Sequence, residues 1–227
     1  MRSQAKETEL TVAPQLLAQL ELAGRVVTGD ALYAQRGLSR QVVEQGGDYL
    51  WVLKDNQPTL RAALVLLFAE PSWGERMGVV QQVGRHGDRQ ERRQLWASTA
   101  LNHYLDWPYL GQVCCVARTK QRKGVREEHT AYAITSLTPE KGTPQKLLEL
   151  WRGHWKIENQ SHYVRDVTMR EDASQVRSGA APEVLAALRN VVIGLVRQSG
   201  ATNVAAALRH YSWKATKALP LLGLSPP

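Results

Sequence analysis

Within the thirty residues from Arg25 to Lys54 the chain reads strand, helix, strand, and this constrains the fold more than any other feature. RVVTGD (25–30) is a short β-branched run ending in an acid, LSRQVVEQGG (38–47) has helical spacing closed by glycines, and DYLWVLK (48–54) is a second apolar run. Short apolar runs bounded by turn signals read as strands buried on both faces. Two strands joined through a helix form a parallel pair, so the chain belongs to the α/β class. Asp30 then stands at the C-terminal end of the first strand, where open α/β sheets collect their ligands.

Around this unit the pattern is mixed. TVAPQLLAQLEL (11–22) predicts a helix stopped by Gly24, and a further helix runs from Pro58 to Ala69. From 74 to 137 come short β-prone pieces, MGVVQQVG, RRQLWAS, GQVCCVART and HTAYAITSL, separated by polar loops that include the basic TKQRKGVREE. That texture predicts an antiparallel β insertion. TPEKGTPQ leads back to helix near Pro144, followed by helices over 182–198 and 202–213 and a loose tail, LPLLGLSPP.

Lys and Arg exceed Asp and Glu by 29 to 21, a formal net charge of +8 with a pI near 9.7. Such a balance favours an anionic partner, nucleic acid being the commonest, although a basic protein without a polyanion partner fits the same numbers. The two cysteines, Cys114 and Cys115, are adjacent in an apolar run, which suits neither a metal nor a disulfide and predicts buried strand thiols in a reducing compartment. No apolar stretch is long enough to span a membrane, and MRSQAKETEL lacks the apolar core of a signal peptide, so a cytoplasmic location is expected.

LWRGHWKIENQSHYVRDV (150–167) is not an ordinary amphipathic helix. At about 100° per residue, Trp151, His154, Glu158, His162 and Arg165 gather on one stripe roughly 80° wide. Leu150, Ile157 and Val164 flank it on one side, Leu148 and Trp155 on the other. A polar stripe between apolar flanks predicts a cleft. Asp30 and Glu158 are therefore the candidate acids, since hard Mg²⁺ or Mn²⁺ prefers carboxylate and water oxygens. Against this, an Asp at a strand end commonly caps a turn, and a helical Glu is commonly solvated.

The spacing aromatic-x2-basic-x3-Glu-x6-basic, filled by Trp151, His154, Glu158 and Arg165, resembles the C-terminal signature of DDE-type bacterial insertion-sequence transposases. RGHWKIENQSHYVRDVTMREDAS is similar to their H-repeat-associated branch, with its HW-x-IE-N core and DVT-x-x-ED segment. RVVTGDALYAQ followed by GGDYLWVLKDNQPTL resembles the same branch around its second catalytic Asp. The similarity runs from about Lys6 to about Arg197, in the family's order.

The resemblance implies a partial RNase H-like core interrupted by the antiparallel β insertion and followed by C-terminal helices. Residues 1–73 would be the first part of the core, 74–140 the insertion, 141–200 the rest of the core with its Glu-bearing helix, and 201–227 a C-terminal helix and tail. Asp30 and Glu158 would be metal-ligand acids for Mg²⁺ (or Mn²⁺), their carboxyls about 4 to 8 Å apart. His154 and Arg165 would face DNA phosphates and Trp151 the backbone or a displaced base, with Lys54 and Asn56 as further DNA contacts. His154 departs from the usual Arg, which fits a positioning role as well. His162 and Trp155 read equally as packing residues.

The implied partners are transposon-end and target DNA, with self-association or full-length transposase as further candidates, in a nucleoid-associated setting without membrane. The family's first Asp precedes the segment that KETELTVAPQLL resembles, and Asp48, Asp166, Glu171 and Asp172 are poor replacements for it. The expected protein is thus a truncated transposase or, alternatively, a non-catalytic DNA-binding or transposase-binding remnant.

Overall fold

A computed structural model of the chain describes residues 9–70, 77–157 and 163–224, leaving out the side chains of His86 and of residues 155–157. It forms two compact units, Met1–Arg152 and Gly153–Pro227.

The first unit is built on one six-stranded mixed sheet. Its strands are β1 (Val26–Gly29), β2 (Asp48–Leu53), β3 (Gly78–His86), β4 (Arg89–Ser98), β5 (Gln112–Arg122) and β6 (Val125–Thr135). Their spatial order is β1-β2-β6-β5-β4-β3. β1 and β2 pair in parallel, with Gly29 opposite Trp51, and every other pair is antiparallel. The expected strand–helix–strand crossover is present, with α2 (Arg36–Glu44) between β1 and β2. The β-rich stretch hydrogen-bonds directly onto β2 through β6, so these strands extend the same sheet.

β2 is buried on both faces, as its unbroken apolar run requires. Tyr49, Trp51 and Leu53 join one core with Leu17 of α1 (Glu9–Leu17), Leu38 and Val42 of α2, and Leu60 and Leu64 of α3 (Pro58–Ala69). The opposite face carries Val52, Ala133, Cys114, Ala97 and Gly78 in one row. A Cβ on Gly78 would lie 2.8 Å from Pro144 Cγ, and Arg152 donates to Gln82 Oε1 at 2.8 Å. Those two contacts lay α4 (Pro144–Ile157) along β3 on that face. Eight helical residues rise about 12 Å and four strand residues about 13 Å, so one helix spans both contacts.

Three local expectations change. α1 ends at Leu17 instead of Leu22, because Leu16 and Leu20 are about half exposed and find no core to hold further turns. TKQRKGVREE is a β-hairpin: its basic residues continue β5 and β6, and Lys123 and Gly124, both at positive φ, make the two-residue turn. The tail forms a 3₁₀ helix over Ala215–Leu222 before Gly223 closes it at φ 72°. Cys114 and Cys115 are buried strand residues with free thiols.

The second unit holds a π-helical turn (Val164–Thr168), α5 (Ala181–Gln198) and α6 (Val204–Trp213), around Val164, Ile193, Val196 and Val204. Asn203 caps α6, its side-chain oxygen accepting from Ala206 N at 3.0 Å. Among the described residues no helix is long and apolar enough to cross a membrane.

Candidate active site

Asp30 follows β1 directly and starts a 3₁₀ turn (Ala31–Tyr33), with its Oδ1 accepting from Leu32 N at 3.0 Å. The turn leaves no room on its inner side. A Cβ on Gly29 would sit 2.7 Å from Trp51 Cζ3 and 2.8 Å from Tyr33 Cβ. Glycine before the acid therefore lets the backbone lie flat on the Trp51 indole. That indole is part of a stack, 5.5 Å from Tyr49 and 6.5 Å from Tyr33 between centroids.

Buried Ser39 anchors the stack. Its Oγ accepts from Trp51 Nε1 at 2.9 Å and from Trp107 Nε1 at 3.2 Å, and it donates to Gln35 O at 2.9 Å. Burial, then the Glu9 carboxylate that the phenol meets at 3.3 Å, raise the Tyr33 pKa. Asp30 thus projects from a turn braced beneath by three aromatic rings.

Lys54, Asn56 and Gln57 follow β2, at the same end of the parallel pair as Asp30. Asn56 donates its side-chain amide to Ala31 O, and Gln57 Nε2 donates to Ala34 O at 2.9 Å. These residues clamp the Asp30 turn from the side, whereas Lys54 is exposed.

On α4, Trp151 is only 3% exposed, so its ring packs in the protein interior, and His154 is half-buried. Glu158 and His162, and with Glu158 the expected approach to Asp30, lie outside the described residues, as does the Trp155 side chain. Arg165, on the π-helical turn, is gripped by Glu171: Nε donates to Oε2 at 2.5 Å and Nη2 to Oε1 at 2.6 Å. Arg189 adds a second cation to that carboxylate at 3.8 Å. The Arg165 hydrogen bonds hold the Glu171 carboxyl below its ordinary value and raise the Arg165 pKa in return.

Sequence reasoning missed Gly29, Ser39 and the clamping role of Asn56. The glycine ahead of the acid was a usable signal. The Ser39 anchor carries none, because its importance comes from two tryptophans distant in sequence. Asp48 pairs with Ser136 and Lys141 at the other end of β2, away from Asp30. Among the described residues no group of three His, Cys, Asp or Glu side chains could hold a metal.

The family described as Transposase DDE domain matches residues 1–195, and the chain belongs to it. It is 27% identical over 205 residues to the "H repeat-associated putative transposase YhhI" of Escherichia coli (strain K12), covering 86% of this chain and 53% of that protein. The same identity and coverage relate it to "Putative protein YbfL" of that strain. It is 26% identical over 203 residues to "Putative transposase YncI" of Escherichia coli O157:H7, covering 87% of this chain and 52% of that protein. The resemblance to the H-repeat-associated branch is borne out. The chain spans about half the length of these curated relatives. No solved structure matches it.

Proposed function

We propose that this chain carries two of the three carboxylates of an insertion-sequence transposase, Asp30 and Glu158, on an RNase H-like core that cuts and joins DNA. The observation that carries the reading is the Asp30 turn. An acid at the end of the first parallel strand is held by an aromatic stack below and an amide clamp beside it, in a chain of the DDE family. A catalytic ligand needs such fixed placement, since small displacements cost rate steeply.

The fit to a metal is one of chemistry. Asp30 offers a hard carboxylate whose Oδ1 is already oriented by Leu32 N, and Glu158 is the second such group. A bound Mg²⁺ or Mn²⁺ would supply activation of a hydroxyl or water and stabilisation of the leaving oxygen. The chain's own work is to hold the carboxylates and the DNA. His154 and Arg165 are candidates to approach phosphates, Lys54 is exposed to do so, and Asn56 acts by keeping the Asp30 turn in place. Arg165 would have to exchange the Glu171 carboxylate for a phosphate, which offers the same bidentate match to a guanidinium. Trp151, being buried, supports α4 by packing, and base stacking by its ring would require the helix to shift.

DDE chemistry uses three acids, and the family's first is not among those assigned here. The reading therefore takes the third from a segment outside these residues, as the half-length match to the relatives suggests. The second reading, a DNA-binding or transposase-binding remnant without cutting activity, draws on the same half-length match. A nucleoid-associated cytoplasmic protein is the setting either reading implies.

The test is to incubate the chain with H-repeat end DNA and Mg²⁺ or Mn²⁺, beside Glu158→Gln. Binding without nicking is expected from two acids alone. Nicking abolished by the substitution would show that two suffice and overturn the need for a third. A chain that neither binds nor cuts DNA would refute the reading.

A further inference from the structure

Most of the chain's excess positive charge lies on β3–β6. Residues 78–98 and 112–135 hold nine Lys and Arg against four Asp and Glu, which is five of the formal excess of eight. On one face of this ribbon the side chains are mainly neutral amides and arginines, and they enclose a groove of about 500 Å³. Small residues of β5, Ala117 and Thr119, make its floor. Gln94 and Arg92 of β4 stand on one side and Arg126 of β6 on the other. β4 and β6 flank β5, so the walls are about 10 Å apart, wide enough for one polynucleotide backbone.

Two cations line the groove. Arg92 and Arg126 are exposed, and the amide of Gln94 accepts from Arg92 Nη2 at 3.3 Å, which leaves its own N–H groups to donate elsewhere. The acid beside the wall, Glu128, is paired with Arg126. Glu91 also borders the groove, but strand alternation turns its carboxylate to the other face, where Arg118 and Arg93 hold it. Trp96 and Tyr132 follow on the same face one register row beyond Gln94, where the Tyr132 ring packs against Phe68. Arginines and amides are side chains that contact a nucleic-acid backbone without reading its sequence. The floor is remote from Asp30: Thr119 lies six residues, about 20 Å, along β5 from the row that contains Gly29 and Val113.

We propose that this groove seats one phosphodiester strand of DNA, with Arg92 and Arg126 on phosphates and Gln94 donating to the backbone. It would serve as a hold on the DNA separate from the Asp30 turn. The proposal rests on reading the chain as a DNA-acting protein, and its test can fail independently.

The experiment measures binding of a fluorescein-labelled DNA duplex to the full chain across a salt series, with poly-glutamate as competitor. Arg92→Gln/Arg126→Gln should weaken binding and lower the slope of log affinity against log salt by about 1.8, two contacts of about 0.9 each. Ala117→Glu, which places a carboxylate on the floor, should weaken binding further. Arg25→Gln/Arg40→Gln makes the same charge change on other exposed residues and should alter the slope less. Equal effects from the two pairs, or an unchanged slope in the groove variant while the parent chain binds, would overturn the groove. Poly-glutamate competing as well as DNA at equal charge would overturn DNA as the occupant. A parent chain with no affinity for DNA would refute the functional reading itself.

Discussion

The side-chain amide of Asn56 donates to the carbonyl oxygen of Ala31, tying the turn after β2 to the turn that presents Asp30. Parallel neighbours bring both turns to the same end of the sheet, and one hydrogen bond makes them a unit. Asn56→Ala should cost about 1 kcal/mol, since the partner carbonyl belongs to a buried residue. Hydrogen exchange should rise locally across 31–34. Exchange unchanged there would mean the clamp does not hold the turn.

Gly29 makes a sharper prediction. Adding one methyl group places it against Trp51 and the Tyr33 Cβ at distances no relaxed contact allows. Gly29→Ala should destabilise the chain by about 1–3 kcal/mol, in the range of overpacked cores. The change should appear in tryptophan fluorescence, because the ring displaced is an indole. Parental stability with an unaltered spectrum would show that the stack yields easily.

Arg165 and Glu171 set a pH dependence. The folded Glu171 carboxyl lies below the ordinary glutamate value of about 4.3. The stabilisation is therefore complete above that value and fades as pH falls through the lower folded one. Glu171→Gln should destabilise the chain at neutral pH, and the gap from the parent should close in acid. A gap independent of pH would contradict the assignment.

Burial pushes the Cys115 thiol up to about 12 and raises Cys114 as well. Neither should react with a thiol reagent at neutral pH until the chain unfolds, because the thiolate is the nucleophile. Rapid labelling of the native protein would place one of them at the surface.

How far the sequence disclosed all this depends on the range of the interactions. The β1–α2–β2 crossover and the helices α3, α5 and α6 were legible, to within a residue or two at their ends, because periodicity, β-branching and caps act within one element. In TKQRKGVREE charge masks the strand propensity, because these two exposed strands project beyond the core. Asp30 was legible from its place after a short apolar strand. What braces it was not: the Tyr33–Trp51–Tyr49 stack, the Ser39 anchor and the Asn56 bond join residues that only the folded sheet brings together. Arg165 stands out in the sequence by its charge and spacing, yet its carboxylate partner sits six residues onward around an irregular π turn.

The central claim is that Asp30 and Glu158 are metal-binding carboxylates. Its most direct test is Mn²⁺ titration of the purified chain followed by electron paramagnetic resonance, with Asp30→Asn and Glu158→Gln measured beside the parent and their folding checked by circular dichroism. The claim predicts saturable Mn²⁺ binding by the parent that each substitution weakens, with folding intact. Mn²⁺ bound equally well by the parent and both variants, or not bound by the parent at all, would contradict it.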